Sequence, residues 1–513
     1  MNISRCFSLP KILSSFPTLS LLSVRERNMK ITMKRLLLLL CSLLGLVTSH
    51  AARPALKPNI ILVLVDDMGW MDLSCQGSDF YRTPHIDRLA KEGIQFTQGY
   101  AASAVCSPTR AAVQTGSYPH RLGVTDWIRS RFQRGNIGTP KKNPTEYVGG
   151  KNQKLLCPPN PYWMKSSEIT IAEALRENGY RTAYIGKWHL GDEAWYPENQ
   201  GYDLNFGGCD YGQPPSFFDP YNSPNHRHPS IRKGIYKLPG RKKGEYLTHR
   251  EADEAVGLIR QWKEEPFFIQ VSHYAVHTPI QAIQAVADKY KFEKSKSETN
   301  RKYAAMVESI DDCMRDILAE LKKHQLDENT LIIFTSDNGG LDRNGNPTDN
   351  APLRSGKGYC YEGGIRVPLL MRWPARIPGG KKSDFPVSSI DLFPTVMEAT
   401  GTGLPKKNKI DGLSLYQLCK TGGMETPDRN TLLWHFPHYR HAPGPYSIIR
   451  QDNWKLIKFW EGMHELYDLE KDLGEKENLA KSMPAMVKKL DLQLLTLLQE
   501  DGARLPKKNP TFP

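Results

Sequence analysis

Short apolar runs alternate with amphipathic stretches along most of the chain. Four nearly continuous apolar runs predict buried strands, at residues 59–65, 181–185, 266–271 and 330–335. Between them, apolar side chains recur at helical spacing over residues 167–178 and 301–323, which predicts helices. The alternation predicts an α/β fold with a large mixed, mostly parallel sheet sandwiched by helices.

The pattern changes after about residue 425. Short strand-like segments at 446–449 and 454–459 precede a helix at about 484–500, whose apolar positions include Leu490 and Leu494. Strands followed by a single helix are typical of an α+β unit. We therefore predict a larger α/β domain at residues 52–424 and a smaller C-terminal α+β domain at residues 425–513.

The N-terminus has the pattern of a secretory signal peptide. Residues 36–47 are apolar, Lys34 and Arg35 precede them, and a small-x-Ala site ends at Ala51. The run is too short to span a bilayer, and no later run reaches 18 apolar residues. We expect residues 1–51 to be an N-terminal extension with a signal peptide. The rest should be exported, periplasmic or secreted, with no integral membrane segment.

Charge narrows the range of partners only slightly. The 513 residues include 69 Lys and Arg against 55 Asp and Glu, a formal net charge of +14. Seven of the basic residues and one acidic residue lie in the first 51, so the remainder has a net charge of +8. This mild excess suits an anionic partner, and we expect no nucleic-acid partner.

Cysteine usage excludes two kinds of site. Seven cysteines follow residue 51, and no two of them form a CxxC pair. A thioredoxin-type site and a zinc ribbon are therefore not supported. An odd number in an exported protein implies at least one unpaired thiol, while pairing among the others cannot be read from the sequence.

Acidic residues follow the first and the last predicted strand. Asp66 and Asp67 end the first, and Asp337 and Asn338 end the last. Open α/β sheets place their sites at the carboxyl ends of strands, and hard oxygen ligands suit Ca²⁺ or Mg²⁺ better than zinc. The alternative is that each acid caps the next helix.

The two middle strands lead into basic residues. The run at 181–185 is followed by Lys187 and His189, and the run at 266–271 by His273 and His277. A cation and imidazoles beside a hard-metal site suit an anionic tetrahedral substrate, with His as proton donor. Taken singly, each His has an alternative role as a hydrogen-bonded structural residue.

The segment C-S-P-T-R at residues 106–110 predicts a helix that begins at Cys106. Pro108 suits a first helical turn, and a helix N-terminus favours anions and thiolates. The alternative is a small buried cysteine or one half of a disulfide.

These motifs together resemble the type I, formylglycine-dependent sulfatase family, of arylsulfatase-like type. C-S-P-T-R followed by a helix running into T-G resembles its first signature, and G-K-W-H-L-G at 186–191 its second. Further matches follow in the family's order over about residues 57–480, among them T-P-H-I-D, H-T-P, S-D-N-G-G and the segment 354–364 around Lys357. The resemblance implies the alkaline-phosphatase-like sulfatase fold.

The resemblance also implies a cofactor set. Cys106 is expected to be converted to 3-oxoalanine (formylglycine) by a formylglycine-generating enzyme during maturation, and its hydrate to be the nucleophile. Asp66, Asp67, Asp337 and Asn338, with the modified Cys106, are expected to hold Ca²⁺.

Roles for five more residues are implied in the same way. Arg110 would hydrogen-bond the hydrate, and His189 would handle its proton. Lys187 and Lys357 would bind the substrate by neutralising the sulfate oxygens. His277 would bind the substrate and protonate the leaving alcohol.

The expected function is therefore hydrolysis of a sulfate ester, on a sulfated carbohydrate or an aryl sulfate. Two alternatives remain: a phosphoryl-transfer relative with a Ser or Thr nucleophile and two zinc ions, and a non-catalytic protein that binds sulfated glycans. Loops at 129–166 and 207–245 are rich in basic residues, and we expect them to line the rim of the site. Otherwise they are solvated loops whose charge aids solubility.

Overall fold

Eight strands form the central sheet of the protein. The computed structural model describes residues 57–133, 140–292, 296–342, 347–440 and 444–513, so the predicted signal peptide lies outside the described residues. The strands are β1 Asn59–Val65, β2 Ile94–Phe96, β3 Gly99–Tyr100, β4 Leu155–Leu156, β5 Arg181–Gly186, β6 Leu204–Phe206, β7 Phe267–Ser272, β8 Thr330–Ser336, β9 Leu369–Arg372, β10 Lys381–Ser383, β11 Val387–Ser388, β12 Thr431–Phe436, β13 Tyr446–Gln451, β14 Trp454–Phe459, β15 His464–Asp468 and β16 Lys507–Lys508.

The strand order in the central sheet is β10-β2-β9-β8-β1-β7-β5-β6. Strand β1 pairs in parallel with β7 and β8, β5 pairs in parallel with β6 and β7, and β10 with β2. Strand β9 runs antiparallel to its neighbours β2 and β8. The predicted mixed, mostly parallel sheet is confirmed.

Helices cover both faces of this sheet. All seven residues of β1 are buried, and because successive side chains of a strand point to opposite faces, both faces must be covered. The helices are α1 Pro84–Glu92, α2 Cys106–Thr115, α3 Pro119–Leu122, α4 Ile171–Glu177, α5 Pro229–Lys233, α6 Leu247–Gln261, α7 Gln284–Ala287, α8 Glu298–Lys323, α9 Glu362–Ile365, α10 Leu392–Thr400, α11 Tyr416–Lys420 and α12 Pro484–Glu500.

A second, antiparallel sheet follows in the C-terminal part, in the order β12-β13-β14-β15. One of its faces packs on α12, where Leu490, Leu494 and Leu498 are fully buried. Its other face packs on the residues just before α2, including Ala104 and Val105. The predicted smaller α+β part is confirmed as an architecture, while its boundary at residue 425 stays a prediction.

Two predicted helices begin at other residues than expected. Helix α4 starts at Ile171 because the Thr170 side chain caps it and Glu173 completes the capping box. Helix α8 starts earlier than residue 301, at Glu298, because Ser297 caps it in the same way.

The described residues also bear on disulfide bonds and on membrane-spanning helices. All seven cysteines there are free, so Cys106 is not half of a disulfide. Over the same residues, no helix combines the length and the apolar character needed to cross a membrane.

Candidate active site

The four central parallel strands bring the predicted residues to one edge of the sheet. Strands β8, β1, β7 and β5 are neighbours, and parallel strands end on the same side. Asp66 and Asp67 follow β1, Asp337 follows β8, Lys187 follows β5, and His277 lies five residues beyond β7. Helix α2 begins at Cys106 as predicted.

Acidic side chains surround the Cys106 sulfur. One ligand atom each of Asp66, Asp67, Cys106 and His277 lie within 4.8 Å of one another. The Cys106 thiol donates to Asp66 Oδ1 at 3.6 Å, and the Asp67 amide donates to Asp337 Oδ1 at 3.3 Å. The acids therefore face one another and Cys106 across a common space.

Asn338 provides the test of whether this cluster suits a metal ion. Its Nδ2 donates to Asp67 Oδ1 at 2.8 Å, whereas its buried Oδ1 has no hydrogen-bond partner within the described part of the chain. Buried polar atoms are normally satisfied, so an open amide oxygen among carboxylates is suited to binding a cation. The oxygen set fits a hard divalent cation such as Ca²⁺.

Three cations neutralise the three carboxylates. Arg110 Nη2 lies 2.7 Å from Asp337 Oδ2, Lys187 Nζ lies 2.7 Å from Asp66 Oδ2, and Lys357 Nζ lies 2.7 Å from Asp67 Oδ1. Arg110 also donates to the Lys187 carbonyl oxygen at 2.6 Å. Since carboxylates and cations are balanced, a bound divalent cation would leave the site positive and attractive to an anion.

Burial and these charges shift the pKa values of the acidic groups. Burial raises the pKa of Asp66 to about 7, against the pull of Lys187. Burial also opposes ionisation of Asp67, but Lys357 and His277 hold its pKa below the usual range. Burial raises the pKa of the Cys106 thiol to about 12, although Lys187 and Lys357 act to lower it.

The two imidazoles are held by backbone carbonyl groups. His189 Nε2 lies 2.7 Å from Ile128 O, and its Nδ1 is buried without a partner in the described ranges. His277 Nδ1 lies 2.9 Å from Thr278 O, and its Nε2 lies 3.6 Å from Asp67 Oδ2. Burial, reinforced by Lys357, lowers the pKa of His277 to about 3.

A cavity of about 160 Å³ opens onto this cluster. Four predicted residues line it, namely Cys106, His189, His277 and Lys357. The acids, Asn338, Arg110 and Lys187 are fully or almost fully buried and are absent from its lining. The site thus has a solvent-facing layer that can touch a substrate and a buried layer that can hold an ion.

Six further residues line the cavity that were not named as site residues: Val105, Trp127, Gln133, Gly212, Gln213 and Arg440. Gln133, Gly212 and Gln213 lie within the two basic loops that were expected at the rim. No periodicity marks these single positions, because all six lie outside the strands and α-helices. The His189 ring leaves no room for a side chain at Gly212, because a Cβ atom there would lie 2.7 Å from His189 Cε1.

His273 lies behind the site rather than in it. Its Nδ1 is 2.7 Å from Glu251 Oε2, and both side chains are fully buried. His273 has no role in the catalytic set that the sulfatase resemblance implies, and no motif in the sequence marks Glu251 as its partner.

The fold and this geometry define a class of protein. A mostly parallel sheet presents carboxylates, an amide, cations and imidazoles beside a cavity, as expected of an enzyme that acts on an anionic ester. The chain belongs to the sulfatase family and is a sulfuric ester hydrolase: the family model described as Sulfatase matches residues 58–402. A second model, described as N-sulphoglucosamine sulphohydrolase, C-terminal, matches residues 355–500.

Individual relatives agree with this membership. A sulfatase of Formosa agariphila is 33% identical over 85% of this chain and 87% of its own. The N-acetylgalactosamine-6-sulfatase of Canis lupus familiaris is 35% identical over 74% of this chain and 68% of its own. The crystal structure of Ps i-CgsB in complex with k-i-k-neocarrahexaose superposes with a TM-score of 0.70 at 29% identity, covering 89% of this chain and 94% of that one.

Proposed function

We propose that the protein is an exported sulfatase that removes sulfate from a sulfated carbohydrate, with a formylglycine at position 106 and a bound Ca²⁺. The observation that carries the proposal is the position of Cys106 at the start of α2. Its side chain lines the cavity and lies in one cluster with Asp66 and Asp67. Lys187 and Lys357 neutralise these two carboxylates.

Conversion of Cys106 to formylglycine would give the site its nucleophile. A buried, protonated thiol is a poor nucleophile, and the hydrate of an aldehyde supplies a hydroxyl group in its place. A formylglycine-generating enzyme would have to act before the chain folds, because Cys106 is only 3% exposed in the folded protein.

Asp66, Asp67, Asp337, Asn338 and the modified residue 106 would hold the calcium ion. The ion would supply positive charge that polarises the sulfate group and the hydrate. Arg110, paired with Asp337, would orient one carboxylate of this set and hydrogen-bond the hydrate.

The remaining residues would bind the sulfate and move protons. Lys357 lines the cavity and Lys187 lies just beneath it, so both would neutralise charge on the sulfate oxygens. His189 would accept a proton of the hydrate at its open Nδ1. A bound anion favours the protonated imidazole of His277, which would then protonate the leaving alcohol.

A carbohydrate is the favoured carrier of the sulfate. Two similar proteins are named or titled for sugars, N-acetylgalactosamine 6-sulfate in one and a neocarrahexaose in the other. An aryl sulfate remains a useful laboratory substrate, because the sulfate group would make most of its contacts in the cavity.

The residues of the site argue against the two alternative functions. A phosphoryl-transfer enzyme with two zinc ions needs several histidines, whereas among the described residues the acidic cluster includes one, His277. A protein that only binds glycans has no need of Cys106, Arg110 and Lys187 in one buried cluster. Catalysis is the function that explains these residues together.

Two measurements on residue 106 test the proposal. Mass spectrometry of the Cys106 peptide from exported protein should show formylglycine. Cys106→Ala should lower kcat for an aryl sulfate by about 10³-fold or more, because the nucleophile is lost, with little change in Tm. Cys209→Ala removes another buried free thiol and should keep full turnover. Substantial hydrolysis by Cys106→Ala at full metal occupancy would show that the proposed mechanism is wrong.

A further inference from the structure

A second and larger cleft adjoins the catalytic cavity. Its volume is about 540 Å³, and Trp127 lines both it and the catalytic cavity. The cleft is lined by residues between 126 and 162, together with His438 and Tyr439. The basic loop at 129–166 therefore forms much of its wall.

The catalytic cavity alone is too small for a glycan. Sites for small molecules usually enclose about 300–1,000 Å³, and the catalytic cavity encloses about 160 Å³. It can take the sulfate group and the part of the sugar next to it. The rest of the substrate must lie beyond the rim, and Trp127 leads directly into the larger cleft.

The cleft is held in shape by hydrogen bonds to its backbone. Asn160 Oδ1 accepts from the amides of Thr125 and Asp126 at 3.1 and 3.0 Å, and its Nδ2 donates to Trp127 O at 3.1 Å. From the other side, His438 Nε2 lies 2.8 Å from Thr125 Oγ1. A preformed cleft does not have to be ordered on binding, which favours affinity.

The walls suit a sugar chain that carries acidic groups. Trp127, Tyr162 and Tyr439 offer aromatic surface with polar edges, on which the apolar face of a sugar ring can pack. Arg129 is exposed in the same cleft and has neither an ion pair nor a hydrogen bond with any described residue. A free guanidinium beside an aromatic wall is suited to a sulfate or carboxylate group.

Arg440, which lines the catalytic cavity together with Trp127, is already engaged by neighbouring side chains. The Arg440 guanidinium lies 4.4 Å from the Trp127 ring centroid and 3.2 Å from Asp126. These contacts of Arg440 hold the Trp127 ring between the two cavities. Arg129 has no such contact with a described residue and is available to a ligand.

We infer that this cleft binds the sugar residues next to the sulfate-bearing unit of an anionic glycan, and that Arg129 binds a second acidic group on them. The inference rests on the proposed sulfatase function and adds to it the length and charge of the substrate. The protein is then expected to prefer oligosaccharides to single sulfated sugars.

The first test compares substrates of different length. With 4-nitrophenyl sulfate and a sulfated tetrasaccharide, Arg129→Gln should lower the ratio of tetrasaccharide to aryl kcat/KM by about tenfold, as expected for one charged contact. Arg176→Gln is the control, because Arg176 is exposed and lines neither cavity. A ratio left unchanged by Arg129→Gln, both for a tetrasaccharide with sulfate alone and for one with carboxylates as well, would overturn the cleft assignment and leave the sulfatase function standing.

The second test does not depend on turnover. Calorimetry should show that Cys106→Ala binds the tetrasaccharide about tenfold more tightly than Cys106→Ala with Arg129→Gln. Equal affinities would refute the role of Arg129. If the wild-type protein hydrolysed no sulfate ester while the Arg129 change still weakened binding, the result would support the cleft and contradict the proposed function.

The acidic group is identified by the choice of tetrasaccharide. A carrageenan fragment carries sulfate alone, and a chondroitin 6-sulfate fragment carries carboxylates as well. The effect of Arg129→Gln should be present with the first fragment if the cleft binds sulfate, and only with the second if it binds carboxylate. Its absence with both would overturn the inference.

Discussion

At the scale of single residues, Asn338 is the neutral side chain of the proposed ion site. Its Nδ2 donates to Asp67 Oδ1 at 2.8 Å and to Gly339 O at 3.0 Å, so the amide cannot turn. This leaves Oδ1 fixed and, within the described residues, without a donor. An unsatisfied buried oxygen costs about 1–3 kcal/mol, and a bound cation would remove that cost.

Replacing Asn338 should therefore weaken calcium binding selectively. Asn338→Ala removes one oxygen ligand, and we expect the Kd for Ca²⁺ to rise about tenfold or more, with a parallel loss of activity at low calcium. Calcium titration and elemental analysis measure the change.

The control for this prediction lies at the other end of β1. Asn59 is 6% exposed and accepts a hydrogen bond from the Phe267 amide, far along the strand from the acids. Asn59→Ala should lower stability without changing calcium content. If Asn338→Ala retained wild-type affinity, or if the purified protein held zinc and no calcium, the proposed metal site would be wrong.

At the scale of elements, helix α6 positions the segment that carries His277. Glu251 of α6 accepts from His273 at 2.7 Å and from the Tyr274 amide at 3.4 Å, just beyond the end of β7. The neighbouring strand β5 ends at Gly186, where a Cβ atom would lie 2.0 Å from Ser272 O. The close contact between the ends of β5 and β7 therefore explains why a glycine precedes Lys187. Glu251 lies directly behind the ends of both strands.

Glu251 should accordingly affect both stability and catalysis. Glu251→Ala leaves two buried donors without an acceptor, and we expect a loss of about 2–4 kcal/mol in the free energy of unfolding. The kcat should fall more than KM rises, because the position of His277 changes. Denaturant unfolding and steady-state kinetics measure these effects.

Two further variants separate positioning from general damage. Glu251→Gln keeps an acceptor oxygen and should recover much of the lost kcat. Asp253→Ala alters an exposed residue of the same helix and should cost less than about 1 kcal/mol. A Glu251→Gln enzyme no better than Glu251→Ala would argue against positioning through this hydrogen bond.

These elements also show what a sequence can predict. Strands β1 and β8 were predicted within one residue, because strands buried on both faces are continuous apolar runs. The residues that follow these strands were expected to lie close together because parallel strands end at the same edge of a sheet, and the fold brings them together. Glu251 lies in the middle of a helix and Trp127 in an irregular loop, so only the folded chain brings them to the site.

At the scale of the whole molecule, a buried ion network joins the C-terminal sheet to the active-site segment. Lys455 on β14 lies 3.0 Å from Glu362 and 2.7 Å from Glu475, and all three side chains are fully buried. Glu475 also accepts from the Glu362 amide at 2.7 Å. Because Glu362 follows Lys357 by five residues, the C-terminal sheet supports a residue that lines the catalytic cavity.

Replacing Lys455, the cation at the centre of this network, should strongly weaken the attachment of the C-terminal sheet to the active-site segment. Lys455→Met leaves Glu475 without a counter-ion among the described residues, while Glu362 keeps Arg366 at 3.4 Å. Loss of one partner of a buried ion pair typically costs about 3–5 kcal/mol. Lys458 on the same strand is the matched control, because it pairs with Asp491 nearer the surface, and Lys458→Met should cost about 0–1 kcal/mol. We expect the urea midpoint and kcat/KM to fall together for Lys455→Met alone. Equal, small losses for both variants would show that the C-terminal sheet is attached by its apolar contacts, and that Lys357 is positioned without the ion network.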